Sequence, residues 1–173
     1  MAKYSITLNF FIPRRIVEKL KKVKINGKIK YDWRSGKYSH CTVKAIHHTE
    51  TMPAKKELSM WIKNTEKILS FQKPFKVKVE GLSKFPTALF AGINSNELIK
   101  LHKKLFKILP SSQPKFENNK YVPHASIAMI YGNVELIPIK NDNFGEFIVK
   151  ELQLMIWNEN IKKSKIYCRF KLN

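Results

Sequence analysis

The apolar positions of this chain recur with two periods. Tyr4 to Ile12 alternates apolar and polar residues and predicts a strand. Pro13 then suits the first turn of a helix, with Ile16, Val17, Leu20 and Val23 as its apolar stripe. Asn26-Gly27 signals a turn and opens a basic loop holding Trp33 and Tyr38. Ser39 to His47 predicts a second strand, and Pro53 opens a helix whose inner face carries Leu58, Trp61, Ile62, Thr65, Ile68 and Leu69. Phe75 to Glu80 alternates with lysines and predicts a half-exposed strand. A turn at Gly81-Leu82-Ser83 leads to a strand over Ala88 to Ile93. Asn94 with Glu97 predicts a capping-box start. The helix that follows carries Leu98, Leu101, Leu105, Ile108 and Leu109 and stops at Pro110. Ser111 to Asn119 reads as loop, Tyr121 to Tyr131 as strand, and two further strands are expected near Phe147 to Asn158 and Ile166 to Leu172.

Two of these strands carry the same short pattern, His40-Cys41-Thr42-Val43 and His124-Ala125-Ser126-Ile127. Side chains two apart in a strand share a face. His40 therefore sides with Thr42 and His124 with Ser126, while Cys41 and Val43, Ala125 and Ile127 turn away. A third match, His47-His48-Thr49, runs into Glu50, Thr51, Met52 and Pro53, a strand end and helix start, and is set aside. The two histidines lie 84 residues apart, and the same step carries Tyr4 to Ala88 and Pro13 to Glu97. Both halves thus read strand, helix, loop, His-containing strand. A duplicated unit would bring the two motifs face to face across a cleft.

Composition narrows the function. At 173 residues, with 43% hydrophobic residues, the chain can bury a core and is expected to be one domain, 1–173, built of two lobes. No apolar run is long enough to span a bilayer, and the first residues read as strand. Two cysteines are too few for a disulfide framework or a metal site, so a reducing, cytoplasmic setting is expected. No carboxylate-rich cluster lies close in sequence to either motif, so no metal or other cofactor is expected, and a monomer is the default expectation. The net charge of +20 stands out, with 33 Lys and Arg against 13 Asp and Glu. Arg14 to Lys37 alone holds ten basic residues against Glu18 and Asp32, just before the first motif. Such an excess predicts a polyanionic partner, RNA or a nucleotide first of all.

Two imidazoles with two hydroxyls suit acid–base chemistry on a phosphodiester. One neutral ring takes a proton from the attacking oxygen, and one protonated ring gives a proton to the departing oxygen. The residues alone leave open which ring does which. Thr42 and Ser126 are candidates to hold the non-bridging oxygens. Lys44, two beyond Thr42, is expected on the same face and is a further phosphate candidate. Trp33, Tyr38, Phe116 and Tyr121, in or beside the loops before the motifs, are candidates to stack bases. Trp61 reads as core, and His102, in a helix, as structural or exposed.

With both motifs in a duplicated α+β chain, the sequence resembles the 2H phosphoesterase superfamily, and within it the LigT-like RNA 2′,3′-cyclic phosphodiesterases, also called 2′-5′ RNA ligases. The resemblance rests on His40-Cys41-Thr42-Val43 and on Tyr121-Val122-Pro123-His124-Ala125-Ser126-Ile127. It also rests on Gly81-Leu82-Ser83-Lys84-Phe85-Pro86 leading to Leu89-Phe90-Ala91-Gly92-Ile93. It implies two pseudo-symmetric lobes, each an antiparallel sheet with helices on its outer face, around a central cleft. It also implies metal-independent chemistry, with His124 as the base and His40 as the acid. The implied substrates are RNA 2′,3′-cyclic phosphate ends or 2′-5′ linkages. A signalling oligonucleotide (2′-5′ oligoadenylate or a cyclic oligonucleotide) is the alternative within the fold, and a non-catalytic basic RNA-binding protein the alternative outside it. Two departures stand out. Lys37-Tyr38-Ser39 precedes the first histidine where the family often has Pro, and Met129-Ile130-Tyr131 follows the second motif where many bacterial members carry a basic residue.

Overall fold

The alternation of the first segment is realised as strand β1 (Tyr4–Phe11) in a computed structural model of the chain, which describes residues 3–35, 39–131, 135–136 and 142–173. Pro13 precedes α1 (Arg14–Leu20), which buries Ile16, Val17 and Leu20 as its spacing predicts. The basic stretch that follows is not all loop. It contains β2 (Ile25–Asn26) and β3 (Ile29–Asp32), ahead of β4 (His40–Thr49) with the first motif at its start. Helix α2 (Lys55–Leu69) buries Leu58, Trp61, Thr65 and Leu69, and Glu57 reaches back to accept from the Ala54 N–H at 2.9 Å.

Gly81-Leu82-Ser83, expected as a turn, lies inside one long strand, β5 (Phe75–Phe85), where Gly81 forms a bulge against β6 (Ala88–Asn94). Ser95, not Asn94, caps α3 (Asn96–Phe106), its hydroxyl accepting from the Leu98 N–H at 3.3 Å. The second motif opens β7 (His124–Ile130). After β8 (Glu135–Leu136), the single strand expected near Phe147 to Asn158 is two, β9 (Asn143–Val149) and β10 (Glu151–Asn158), broken at Lys150. Strand β11 (Lys163–Lys171) closes the chain.

The fold is α+β, a curled antiparallel sheet with a few helices. Among the described residues the main sheet runs β11-β10-β1-β4-β7-β6-β5-β9, with β3 added beside β7, and every pairing is antiparallel. Curling brings Phe10 of β1 edge-on to Phe147 of β9, 5.9 Å between ring centres, although five steps of the ladder separate those strands. The order is symmetric about its middle. β1, β10 and β11 lie outward of β4 as β6, β5 and β9 lie outward of β7. Helix α3 packs on β4 and β5 with Leu98, Leu101 and Leu105 fully buried, and α2 lies against β11. Among the described residues no helix is long and apolar enough to cross a membrane.

Candidate active site

The two motifs meet at the centre of this sheet. Cys41 pairs with Ala125, and both point into the core with no exposed surface. Their neighbours on either side, His40 and Thr42, His124 and Ser126, are half-buried on the other face. Antiparallel register sets each histidine beside the hydroxyl residue of the opposite motif. The expected juxtaposition of the two motifs is therefore realised.

Each motif strand then carries a bulge at the same place. Against β1, Leu8 pairs with Lys44 and Asn9 with Thr42, so Val43 is an extra residue in β4. Against β6, Leu89 pairs with Ala128 and Phe90 with Ser126, so Ile127 is extra in β7. The bulge corrects the expectation for Lys44. One inserted residue turns the following side chain to the other face. Lys44 is thus 0% exposed, on the side away from His40 and Thr42. There its ammonium lies 2.6 Å from Glu117 Oε2 and 5.3 Å from the centre of the Phe106 ring. Burial lowers its pKa, and the Glu117 carboxylate works against that shift.

Glu117 belongs to a segment, Ser111 to Tyr121, that docks along β4 and satisfies the groups its bulge displaces. Glu117 also accepts from the Ala45 N–H at 3.0 Å and from the Ser111 hydroxyl. Tyr121 donates its hydroxyl to the Thr42 carbonyl at 2.7 Å. Its ring stacks on His102 at 3.8 Å. His102 gives its Nδ1 proton to the Val43 carbonyl at 2.7 Å and accepts the Asn118 N–H at Nε2 at 2.8 Å. Tyr121 is therefore a brace beneath the first motif, not a base platform, and His102 is structural as expected. Cys41 lies against the Tyr121 hydroxyl, and burial pushes its thiol up to about 12, so it is no nucleophile.

On the motif face the two halves differ. Thr42 donates its hydroxyl proton to Asn9 Oδ1 at 2.9 Å. Asn9 is itself buried, its amide donating to the Thr7 hydroxyl at 2.8 Å and the Thr7 carbonyl at 3.3 Å, which fixes which end of the amide faces Thr42. The matching register position beside Ser126 is Phe90, which offers no acceptor. Phe90 stacks on Phe85 at 4.3 Å, and the pair flanks the His124 ring at 5.3 and 5.0 Å. Gly92 pairs with His124, and a Cβ there would stand 2.8 Å from the Glu80 carbonyl oxygen.

His124 Nδ1 lies 2.7 Å from the Val122 carbonyl oxygen, which can only accept. In the neutral ring the proton is therefore on Nδ1, and Nε2 holds the lone pair. Desolvation lowers the pKa of His124, the Val122 bond partly offsets it, and the charge of nearby His40 lowers it further. A neutral imidazole with a lone pair on Nε2 can accept a proton.

The other aromatic candidates are spread out. Trp33 is half-buried beside Tyr31, 6.0 Å between ring centres. Phe116 is 70% exposed on the turn next to Glu117, in the segment that grips the far side of β4. Tyr38 lies outside the described residues. His47 and His48 bond Thr49 and Ser5 at the far end of β4. No group of three or more His, Cys, Asp and Glu that could hold a metal occurs among the described residues.

The comparisons with known proteins bear on the family and the fold. The family model of the 2′-5′ RNA ligase superfamily matches residues 51–160, well over half of the chain and inclusive of the second motif. The chain belongs to the 2′-5′ RNA ligase superfamily. Membership in this superfamily of 2H phosphoesterases supports a phosphodiesterase-type function. The first motif lies before the matched stretch, and the fold reaches it. The structure is similar to that of E. coli LigT complexed with 3′-AMP, at 14% identity over 100% of this chain and 99% of that one, TM-score 0.74. It is similar also to TT0787 of Thermus thermophilus, at 15% identity over 97% of both chains, TM-score 0.65. A solved phosphoesterase aligns at 12% identity over 99% of each chain, TM-score 0.72. At such identities these likenesses are of fold. No curated protein matches the sequence.

Proposed function

We propose that this chain hydrolyses 2′,3′-cyclic phosphates at RNA ends, with His124 as general base and His40 as general acid and without a metal. The observation that carries this reading is the Cys41–Ala125 pairing, which sets two imidazoles and two hydroxyls on one face. His124 Nε2 takes a proton from water as its oxygen attacks phosphorus. The bond from phosphorus to one ribose oxygen breaks, and His40 gives that oxygen a proton. The products are a ribose hydroxyl and a phosphomonoester, and the two histidines end with exchanged protonation states. Ser126 donates to a non-bridging oxygen as charge builds up. Thr42 has its proton directed to Asn9, so it presents lone pairs and is fit to accept from a ribose hydroxyl. The net charge of +20 favours a polyanionic substrate such as RNA, and the nucleotide ligands of LigT (3′-AMP, ATP and NADP+) fit a substrate of this class.

The test is hydrolysis with EDTA present of nucleoside 2′,3′-cyclic phosphates, RNA ending in a cyclic phosphate, 2′-5′ oligoadenylate and cyclic dinucleotides. Turnover should persist in EDTA, favour the 2′,3′-cyclic ends, and fall by about 10²- to 10⁴-fold in His40→Ala and in His124→Ala. Preference for 2′-5′ oligoadenylate or a cyclic dinucleotide would move the assignment to a signalling oligonucleotide. No turnover, with tight RNA binding kept by both variants, would leave a binding protein.

A further inference from the structure

Among the described residues β4 and β7 share a single bridged pair, and beyond it β3 takes the place of β4 beside β7. Tyr31 pairs with Met129 and Asp32 with Ala128. The Ile127 bulge leaves Ile127 and Ala128 in the core and returns Met129 to the half-buried face of Ser126. Tyr31 therefore stands on the motif face. Met129 is three residue steps along the strand from Ser126, roughly 10 Å.

Tyr31 is 53% exposed, and Tyr131, just past the end of β7, is 56% exposed. Neither ring fills the core. Trp33 lies against Tyr31, and the Lys30 ammonium stands 5.4 Å from the centre of the Tyr131 ring. The strand β3, which carries Lys30 and Tyr31, is firmly anchored. Arg34 is buried, grips Asp32 through two bonds of 2.9 and 2.7 Å, and donates to the carbonyl of Val23, three residues past α1, at 2.7 Å. Tyr131 is tied to the same arm by its N–H, which donates to the Lys28 carbonyl at 3.1 Å. Exposed aromatics on and beside a fixed strand, interleaved with cations and continuous with a reaction centre, are what single-stranded nucleic acid recognition uses.

We propose that Tyr31 and Tyr131, with Trp33 and Lys30 beside them, form a second nucleotide platform that stacks a base of single-stranded RNA next to the reacting nucleotide. The platform rests on the reading above, since the reactive phosphate must lie between the histidines for the adjoining base to reach β3. The charge of the surrounding stretch, ten basic residues against two acidic over Arg14 to Lys37, commits it to a polyanion. Oligonucleotide ends would thereby be preferred to cyclic mononucleotides.

The experiment compares kcat/KM on a nucleoside 2′,3′-cyclic phosphate and on an RNA tetramer ending in the same group, for Tyr31→Ala, Tyr131→Ala and Tyr31→Phe. A stacked base contributes enough that each Ala variant should lose about 5- to 100-fold on the tetramer, through KM. It should stay within about twofold on the mononucleotide, where no second base is present to stack. Tyr31→Phe should keep the wild-type preference. Equal losses on both substrates, or no loss on either, would overturn the platform. Fluorescence anisotropy of a labelled single-stranded RNA tetramer on the His124→Ala protein separates the two claims. If the wild-type protein turns over neither substrate, the catalytic reading fails. Weaker RNA binding on adding Tyr31→Ala would then still support the platform, and unchanged binding would overturn it.

Discussion

Cys41 and Ala125 face each other across the one bridge joining β4 to β7 among the described residues, and they are each other's counterparts in the repeat, 84 residues apart. The pseudo-twofold axis therefore passes between them, and it exchanges His40 with His124 and Thr42 with Ser126. The bulges at Val43 and Ile127 obey the same axis. Register places Asn9 opposite Phe90 in this scheme, a step of 81 residues, so the helix-and-loop connection of the second half is three residues longer. Asn9 and Phe90 are where the halves part company, one polar and one aromatic.

Asn9→Leu should lower kcat/KM about tenfold, because Thr42 loses the acceptor that fixes its hydroxyl. Thr42→Val in the Asn9→Leu background should add little. A double-mutant cycle on kcat/KM checks the coupling, and additive losses would show that the two side chains act independently.

Desolvation is the main cause of the lowered His124 pKa, and Phe90 supplies much of the apolar surface around the ring. Phe90→Ala should let water in and raise the pKa toward its ordinary value of about 6.5. The acid limb of kcat/KM, where a base becomes protonated, should then move to higher pH. NMR titration of His124 in both proteins reads the shift directly. The sign for stability follows. A histidine depressed in the folded state favours folding at pH above its unfolded value of about 6.5 and loses that contribution as pH falls toward its folded pKa. Urea midpoints should decline over that window, less steeply in Phe90→Ala.

Glu117→Gln leaves the Lys44 ammonium buried without its counter-charge and should cost about 3–5 kcal/mol. Lys44→Met together with Glu117→Gln should recover much of that loss, because neither side chain then carries a charge. Denaturant unfolding of the three proteins provides the comparison.

Gly92→Ala should destabilise by about 1–3 kcal/mol, since its Cβ would meet backbone and not a yielding side chain. Activity should fall as well, because Gly92 is the ladder partner of His124. A variant of unchanged stability would mean that β5 yields readily at the Gly81 bulge.

Much of this was legible in the residues. The motif strands, the α1 and α3 stripes and the outward turn of both histidines follow from spacing alone. Lys44 was not legible, since nothing local announces a bulge and strict alternation puts the side chain on the wrong face. A bulge is fixed by how two strands match in length across a ladder, which a single stretch does not display. β3 was hidden for a different reason. Its charges read as loop, although Ile29, Tyr31 and Trp33 do alternate. Asn9 left a trace, as an amide in the middle of an apolar strand on the same side as Thr7. Tyr121 read as a cleft aromatic because its proximity to the motif was visible and its partner His102, on another element, was not.

A ladder of many rungs would hold the two histidines at one spacing, but a seam of a single rung does not. The spacing of the two motif histidines is left to outriggers on either side, the Ser111 to Tyr121 segment lashed to β4 and the β3 arm lashed to β7. Each works as an adjusting screw, so drift at Ser111 or Arg34, outside both motifs, retunes the distance between the two imidazoles while the motifs themselves remain unaltered.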